Sequence, residues 1–172
     1  MQSISKKLVL VGDGMVGKTH FTYRACDMES QCKICATLGV EVHPFINSDG
    51  KMVAIWDTAG QERYGGLRDG YYIAKDAFIV FCSLKDEKSI DRVEFWINEV
   101  NRTDVHETST THTNVKFAIV CMGKDFAFDH PENVRKWMEK RDAYQARGVA
   151  CYTISALSSE KNEFVSIVNS LF

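Results

Sequence analysis

Short, almost continuous apolar runs alternate along this chain with longer segments in which apolar residues recur every three or four positions. Leu8–Val11, Ala77–Cys82, Lys116–Cys121 and Val149–Ile154 are runs of the first kind, and such continuity predicts strands buried on both faces of a sheet. Segments of the second kind predict helices from Lys18 to about Cys26, Ser89 to about Arg102, Asn133 to Arg147 and Glu163 to Leu171. In the second of these, Ile90, Val93, Trp96, Ile97 and Val100 share one face. Gly39–Ile46 and Lys51–Trp56 flank Asn47-Ser48-Asp49-Gly50, the signature of a hairpin with Asp-Gly at its turn. Asp27–Leu38 is polar and irregular, and Thr58–Gly66 is too glycine-rich for regular structure. The order of elements predicts an α/β fold: six strands, mostly parallel, with one antiparallel edge hairpin and helices on both faces. Ligands of such sheets bind beyond the carboxyl ends of the strands, and Gly12, Asp57 and Gly123 all stand at predicted strand ends.

A chain of 172 residues is expected to form one domain over its whole length, burying roughly 70% of its unfolded surface. The net charge of −2 carries no basic excess to attract nucleic acid or an anionic membrane, so the ligand has to be argued from local sites. No apolar segment reaches the ~20 residues of a membrane span, and Met1–Lys7 holds no signal-peptide core, which predicts an intracellular protein. The six cysteines, Cys26, Cys32, Cys35, Cys82, Cys121 and Cys151, fall in strand-like and helix-like segments and are expected to be reduced thiols. Cys32 and Cys35 have C-x-x-C spacing, but no second such pair accompanies them, which argues against zinc.

The chemistry concentrates in Gly12-Asp13-Gly14-Met15-Val16-Gly17-Lys18-Thr19. The spacing satisfies G-x-x-x-x-G-K-[ST] in full, between a predicted strand and a predicted helix. Glycines let the backbone curl so that N–H groups approach phosphate oxygens, and the helix that follows turns its positive end to the same anion. Lys18 would reach the terminal phosphates, and Thr19 would offer its hydroxyl to Mg²⁺. A second cluster, Trp56-Asp57-Thr58-Ala59-Gly60-Gln61, ends an apolar strand with an acid. With a phosphate loop upstream, Asp57 is expected in the Mg²⁺ shell, Gly60 at the terminal phosphate and Gln61 at the attacking water. Thr37, in the polar loop before the hairpin, supplies the second Mg²⁺-binding hydroxyl that the cluster lacks.

Gly12–Thr19, Thr37 and Asp57–Gln61 resemble the first three motifs of the Ras-superfamily small GTPases. Ala36–Pro44 and Trp56–Ile73 are similar to the switch sequences of the Ran branch. The resemblance is strong over the first half and a matter of pattern in the second. It implies a Ras-like G domain that binds GTP and GDP with Mg²⁺. Asp27–Leu38 would be the first switch and Asp57 to about Ala74 the second, both ordered through Thr37 and Gly60 and released by hydrolysis. By the same resemblance Gln61, Lys18 and Thr37 carry catalysis, and Thr19, Thr37 and Asp57 hold the metal. The nucleotide would be contacted by Gly12, Asp13, Gly14, Met15, Val16, Gly17, Lys18, Thr19, His20, Thr37, Gly60, Lys124, Asp125, Ser155, Ala156 and Leu157.

The second half departs from the family where guanine is read. Against the Asn-Lys-x-Asp motif this chain has Gly123-Lys124-Asp125-Phe126, and against Ser-Ala-Lys it has Ser155-Ala156-Leu157. The aromatic residue that covers the base in the family falls on Ser30. ATP or another nucleotide is therefore an alternative ligand, with weak preference for GTP. Asp125 could turn in to compensate. The stretch Thr103–Asn114 is longer than Ran's and reads as a solvated loop, with His106 and His112 lacking any further metal ligand. Arg135–Arg141 reads as the solvated face of a helix. Two functions are compatible with these residues: a nucleotide-hydrolysing switch, and a Ran mimic that occupies Ran's partners with weak or no cycling. The resemblance implies importin-type transport receptors and Ran regulators as partners of the switches, a nuclear and cytoplasmic location, and a monomer. The chain ends at Phe172 without Ran's acidic tail or a prenylation cysteine, which predicts no membrane anchor and receptor binding that depends less on nucleotide.

Overall fold

The computed structural model describes residues 5–28, 37–60, 68–102 and 115–172. Six strands form one sheet: β1 (Lys6–Gly12), β2 (Val40–Ile46), β3 (Met52–Thr58), β4 (Ala77–Ser83), β5 (Lys116–Met122) and β6 (Ala150–Ile154). Their order across the sheet is β2-β3-β1-β4-β5-β6. Only β2 and β3 pair antiparallel, and every other neighbouring pair is parallel. The predicted α/β architecture with one antiparallel edge hairpin is the one observed. Gly50 takes φ 73° in the hairpin turn, a left-handed conformation that glycine adopts without strain.

Alternation along the strands sends side chains to two cores. Leu8, Leu10, Ile79 and Phe81 face one side, where Phe21 of α1 (Lys18–Ala25) and Phe164, Ile167 and Val168 of α6 (Lys161–Asn169) close over them. Val9, Val11, Phe78 and Val80 face the other. They are covered by Ile90 of α3 (Glu87–Asp91), by Val93, Trp96 and Val100 of α4 (Val93–Arg102), and by Trp137 and Tyr144 of α5 (Pro131–Ala146). Fully burying one such side chain contributes about 1.5–3 kcal/mol. This is why strands apolar on both faces persist inside the sheet.

Three local expectations are corrected. The helix expected as one piece from Ser89 is two, α3 and α4, separated by Arg92 at φ −86°, ψ 1°. The five-residue face runs unbroken across this step, so periodicity is blind to it. Asp86 caps α3 by accepting from the Lys88 N–H at 3.1 Å, and Ser89 is tied to the end of β4, its Oγ accepting from the Ser83 N–H at 2.9 Å. A short helix α2 (Arg68–Tyr72) also forms where none was expected. Finally, Arg135–Arg141 is not wholly a solvated face, because Trp137 is buried and donates its indole N–H to Thr153 Oγ1 at 2.7 Å. The described cysteines, Cys26, Cys82, Cys121 and Cys151, are free thiols. Cys32, Cys35, Ser30 and the 103–114 stretch with His106 and His112 lie outside the described residues.

Candidate functional site

The site is built where β1 ends. Gly12 closes the strand at φ 143°, and a Cβ there would strike the Phe81 carbonyl oxygen at 2.5 Å. Only glycine allows the loop to leave the sheet this close to β4. Gly17, at φ 102°, caps α1 in the left-handed region with Met122 packed against it. Between them the side chains diverge. Met15 is exposed at φ 63°, whereas Val16 joins the core, leaving only its backbone to face a ligand. His20, the last of the expected loop contacts, is exposed one residue beyond Thr19.

Lys18 is buried although charged. Its Nζ donates to the carbonyls of Gly12 at 2.8 Å and Asp13 at 2.9 Å, so the ammonium is held across the loop. The next residue points the other way. Thr19 Oγ1 donates to Asp57 Oδ2 at 2.7 Å and lies 3.0 Å from Thr37 Oγ1. A threonine hydroxyl has a single hydrogen. Thr19 gives it to the carboxylate, so Thr37 is the donor in the second contact. Residues 18 and 38 positions apart in sequence thus converge because three strand ends meet: Thr19 follows β1, Asp57 is in β3, and Thr37 precedes β2, whose start is anchored by the Ala59 N–H donating to Gly39 O at 2.8 Å.

Asp57 is fully buried at the heart of this group. Desolvation raises its carboxyl above the ordinary carboxylate range, against the opposing pull of the Thr19 hydrogen bond and the Lys18 charge. Its Oδ1 has no hydrogen-bond partner among the described residues. An orphaned buried carboxylate oxygen beside two threonine hydroxyls is a hard, all-oxygen donor set of the kind that Mg²⁺ takes. The residues therefore fit the metal. Gly60 sits against the loop so closely that a Cβ on it would collide with the backbone of Gly14 and Asp13. Gln61 lies outside the described residues.

The residues expected on the base side follow β5 and β6. Gly123 takes φ 89° and starts a 3₁₀ turn over Lys124–Phe126. Lys124 and Asp125 are exposed, so Asp125 makes no inward contact from this turn. Phe126 stands in register with the family's aspartate, and Lys85 Nζ lies 3.4 Å from the centre of its ring. Ser155 is buried, its Oγ accepting from the N–H groups of Leu157 and Ser158, each at 3.1 Å. That leaves Ala156 half-buried at the turn and Leu157 exposed.

Sequence reasoning missed one contact set. The Asp13 carboxylate accepts from Trp96 Nε1 at 3.0 Å and pairs with Arg92 Nε at 3.2 Å, both on Oδ1. Trp96 was legible only as a core residue of its helix face. An indole carries one donor that needs a partner when buried, and that was the available signal.

The family model that matches this chain is that of the Ras family, over residues 7–171. With the phosphate loop, the paired threonines and Asp57 at three adjoining strand ends of this sheet, the chain belongs to the Ras family of small GTPases.

Proposed function

We propose that this protein is a Ran-like molecular switch whose phosphate site is complete and whose base site is relaxed. It binds a nucleoside triphosphate with Mg²⁺ and hydrolyses it slowly. The observation that carries this reading is the convergence of Thr19, Thr37 and Asp57, with the Asp57 Oδ1 unpartnered beside them.

Each residue has a separable task. The backbone from Gly12 to Thr19 cradles the phosphates, and Lys18 supplies a positive charge already held in place by two carbonyls. Thr19, Thr37 and Asp57 would hold the Mg²⁺, which when bound offsets charge on the phosphate oxygens. Thr37 and Gly60 sit on the two switch segments, so their engagement depends on the terminal phosphate. Gln61 orients water by family resemblance. Gln61→Leu should then keep nucleotide binding while abolishing turnover, and an unchanged single-turnover rate would sink that role. The similarity to Ran in Ala36–Pro44 and Trp56–Ile73 supports importin-type receptors and Ran regulators as partners of the switch face, and with them a nuclear and cytoplasmic location.

A second reading is favoured by Phe126 and Leu157. Phe126 offers no carboxylate to the guanine edge, and Lys85 lies on its ring. A Ran mimic that docks on Ran's partners while binding nucleotide weakly fits that side of the site. Nucleotide content separates the two: the purified protein is denatured and the released small molecules are chromatographed. Stoichiometric diphosphate or triphosphate supports the switch. A protein that elutes empty, and stays empty after incubation with Mg²⁺ and GTP or ATP, is the mimic.

A further inference from the structure

Asp13 is tied to three other parts of the protein, and its side chain is used for something other than phosphate. Its carbonyl accepts from Lys18 at 2.9 Å. Its backbone is one of the surfaces against which Gly60 is pressed. Its carboxylate oxygen Oδ1 takes both the indole N–H of Trp96 and the Nε of Arg92. Those two side chains come from the step between α3 and α4. Arg92 is the residue at which the helix breaks, and Trp96 is buried one turn later, its backbone N–H donating to Arg92 O at 3.1 Å. Arg92 also lies 4.8 Å over the Phe95 ring and 5.7 Å from the Trp96 ring.

We infer that Arg92 and Trp96 are positioning residues for the phosphate loop, holding Asp13 from α4 so that its carbonyl stays on Lys18, and thereby setting how fast bound nucleotide is released. A loop of glycines has little stiffness of its own. A charge-assisted bond from a buried indole and an ion pair from a helix junction supply the restraint that the loop's composition lacks. The inference rests on nucleotide binding at this loop.

The test loads the full chain with N-methylanthraniloyl GDP, or the ADP analogue, and follows release into excess unlabelled nucleotide. Trp96→Phe keeps the ring and deletes the donor, and Arg92→Gln deletes the charge. Each should speed release by roughly 10- to 100-fold, the scale of one hydrogen bond to a charged group. Asp13→Asn should speed it as well, and adding Trp96→Phe to Asp13→Asn should do less than multiply the two effects, because the residues act on one contact. Arg92→Lys, which keeps a cation, should recover most of the wild-type rate. Lys136→Gln, which cuts the ion pairs from α5 to Glu87 and Asp91 of α3, should leave release unchanged. Two results overturn the positioning role: release unaltered in both Trp96→Phe and Arg92→Gln, or acceleration that merely follows the fall in thermal midpoint across all the variants. A wild-type protein that retains neither analogue sinks the nucleotide reading and this inference together.

Discussion

A buried lysine is kept charged by its partners, and Lys18 has two carbonyl oxygens within 2.9 Å. Lys18→Ala removes the cation and leaves those carbonyls without their donor. Nucleotide affinity should fall by roughly 10- to 100-fold, as for loss of a bond to a charged group, measured by titration of a fluorescent nucleotide. The thiols give a second prediction. Burial pushes the Cys151 thiol up to about 11 and the Cys82 thiol well above its ordinary value. Between about pH 9 and 11 the unfolded chain releases protons that the folded chain retains, so unfolding free energy falls as pH rises through that window. Below pH 9 both states hold the protons and the effect vanishes. Cys151→Ala should make the decline between pH 9 and 11 shallower in urea unfolding curves. A slope identical to wild type would contradict it.

At the scale of elements, α3 is instructive because five residues cannot sustain a helix alone. It is fastened at its start by Asp86, at its centre by Ser89 and from outside by Lys136. These attachments differ in worth. Ser89 Oγ accepts from the buried Ser83 N–H and donates to Asp86 O at 2.6 Å. Ser89→Ala orphans that N–H and should lower stability by about 1–3 kcal/mol. Lys136→Ala breaks two exposed ion pairs and should change stability far less. Denaturant midpoints for the two variants check the ranking, and equal shifts would refute it. The same element explains why the helix step was not legible in the pattern Ile90, Val93, Trp96, Ile97, Val100. Both halves bury that face in one core, so hydrophobic periodicity is preserved while backbone direction changes.

For the whole molecule, a ligand that binds only the folded state stabilises it by mass action. At a free nucleotide concentration 100 times the dissociation constant the gain is about 2.7 kcal/mol, which for a chain of this size raises the melting midpoint by about 5–10 °C. With Phe126 in the place of the base-reading carboxylate, GTP and ATP should stabilise the Mg²⁺-loaded protein to similar extents. A melting shift with GTP and none with ATP at equal concentration would show that guanine is still selected strongly. Chelating Mg²⁺ should remove most of either shift, because the Asp57 Oδ1 would again lack a partner.

Much of this molecule followed from local chemistry. Strand and helix positions were legible because apolar period distinguishes a two-faced strand from a one-faced helix. The phosphate loop was legible because its glycines, Lys18 and Thr19 are contiguous, so one loop carries the whole requirement. What tertiary structure alone decided lies between distant segments. That Thr37 donates to Thr19, that Asp57 keeps one oxygen unpartnered, and that Asp13 is gripped by Arg92 and Trp96 depend on strand order and on the step between α3 and α4. Sequence spacing constrains neither of these. A contact across 79 or 83 positions is fixed by which strands neighbour one another and how a helix is set on them, and those arise only when two cores are packed at once.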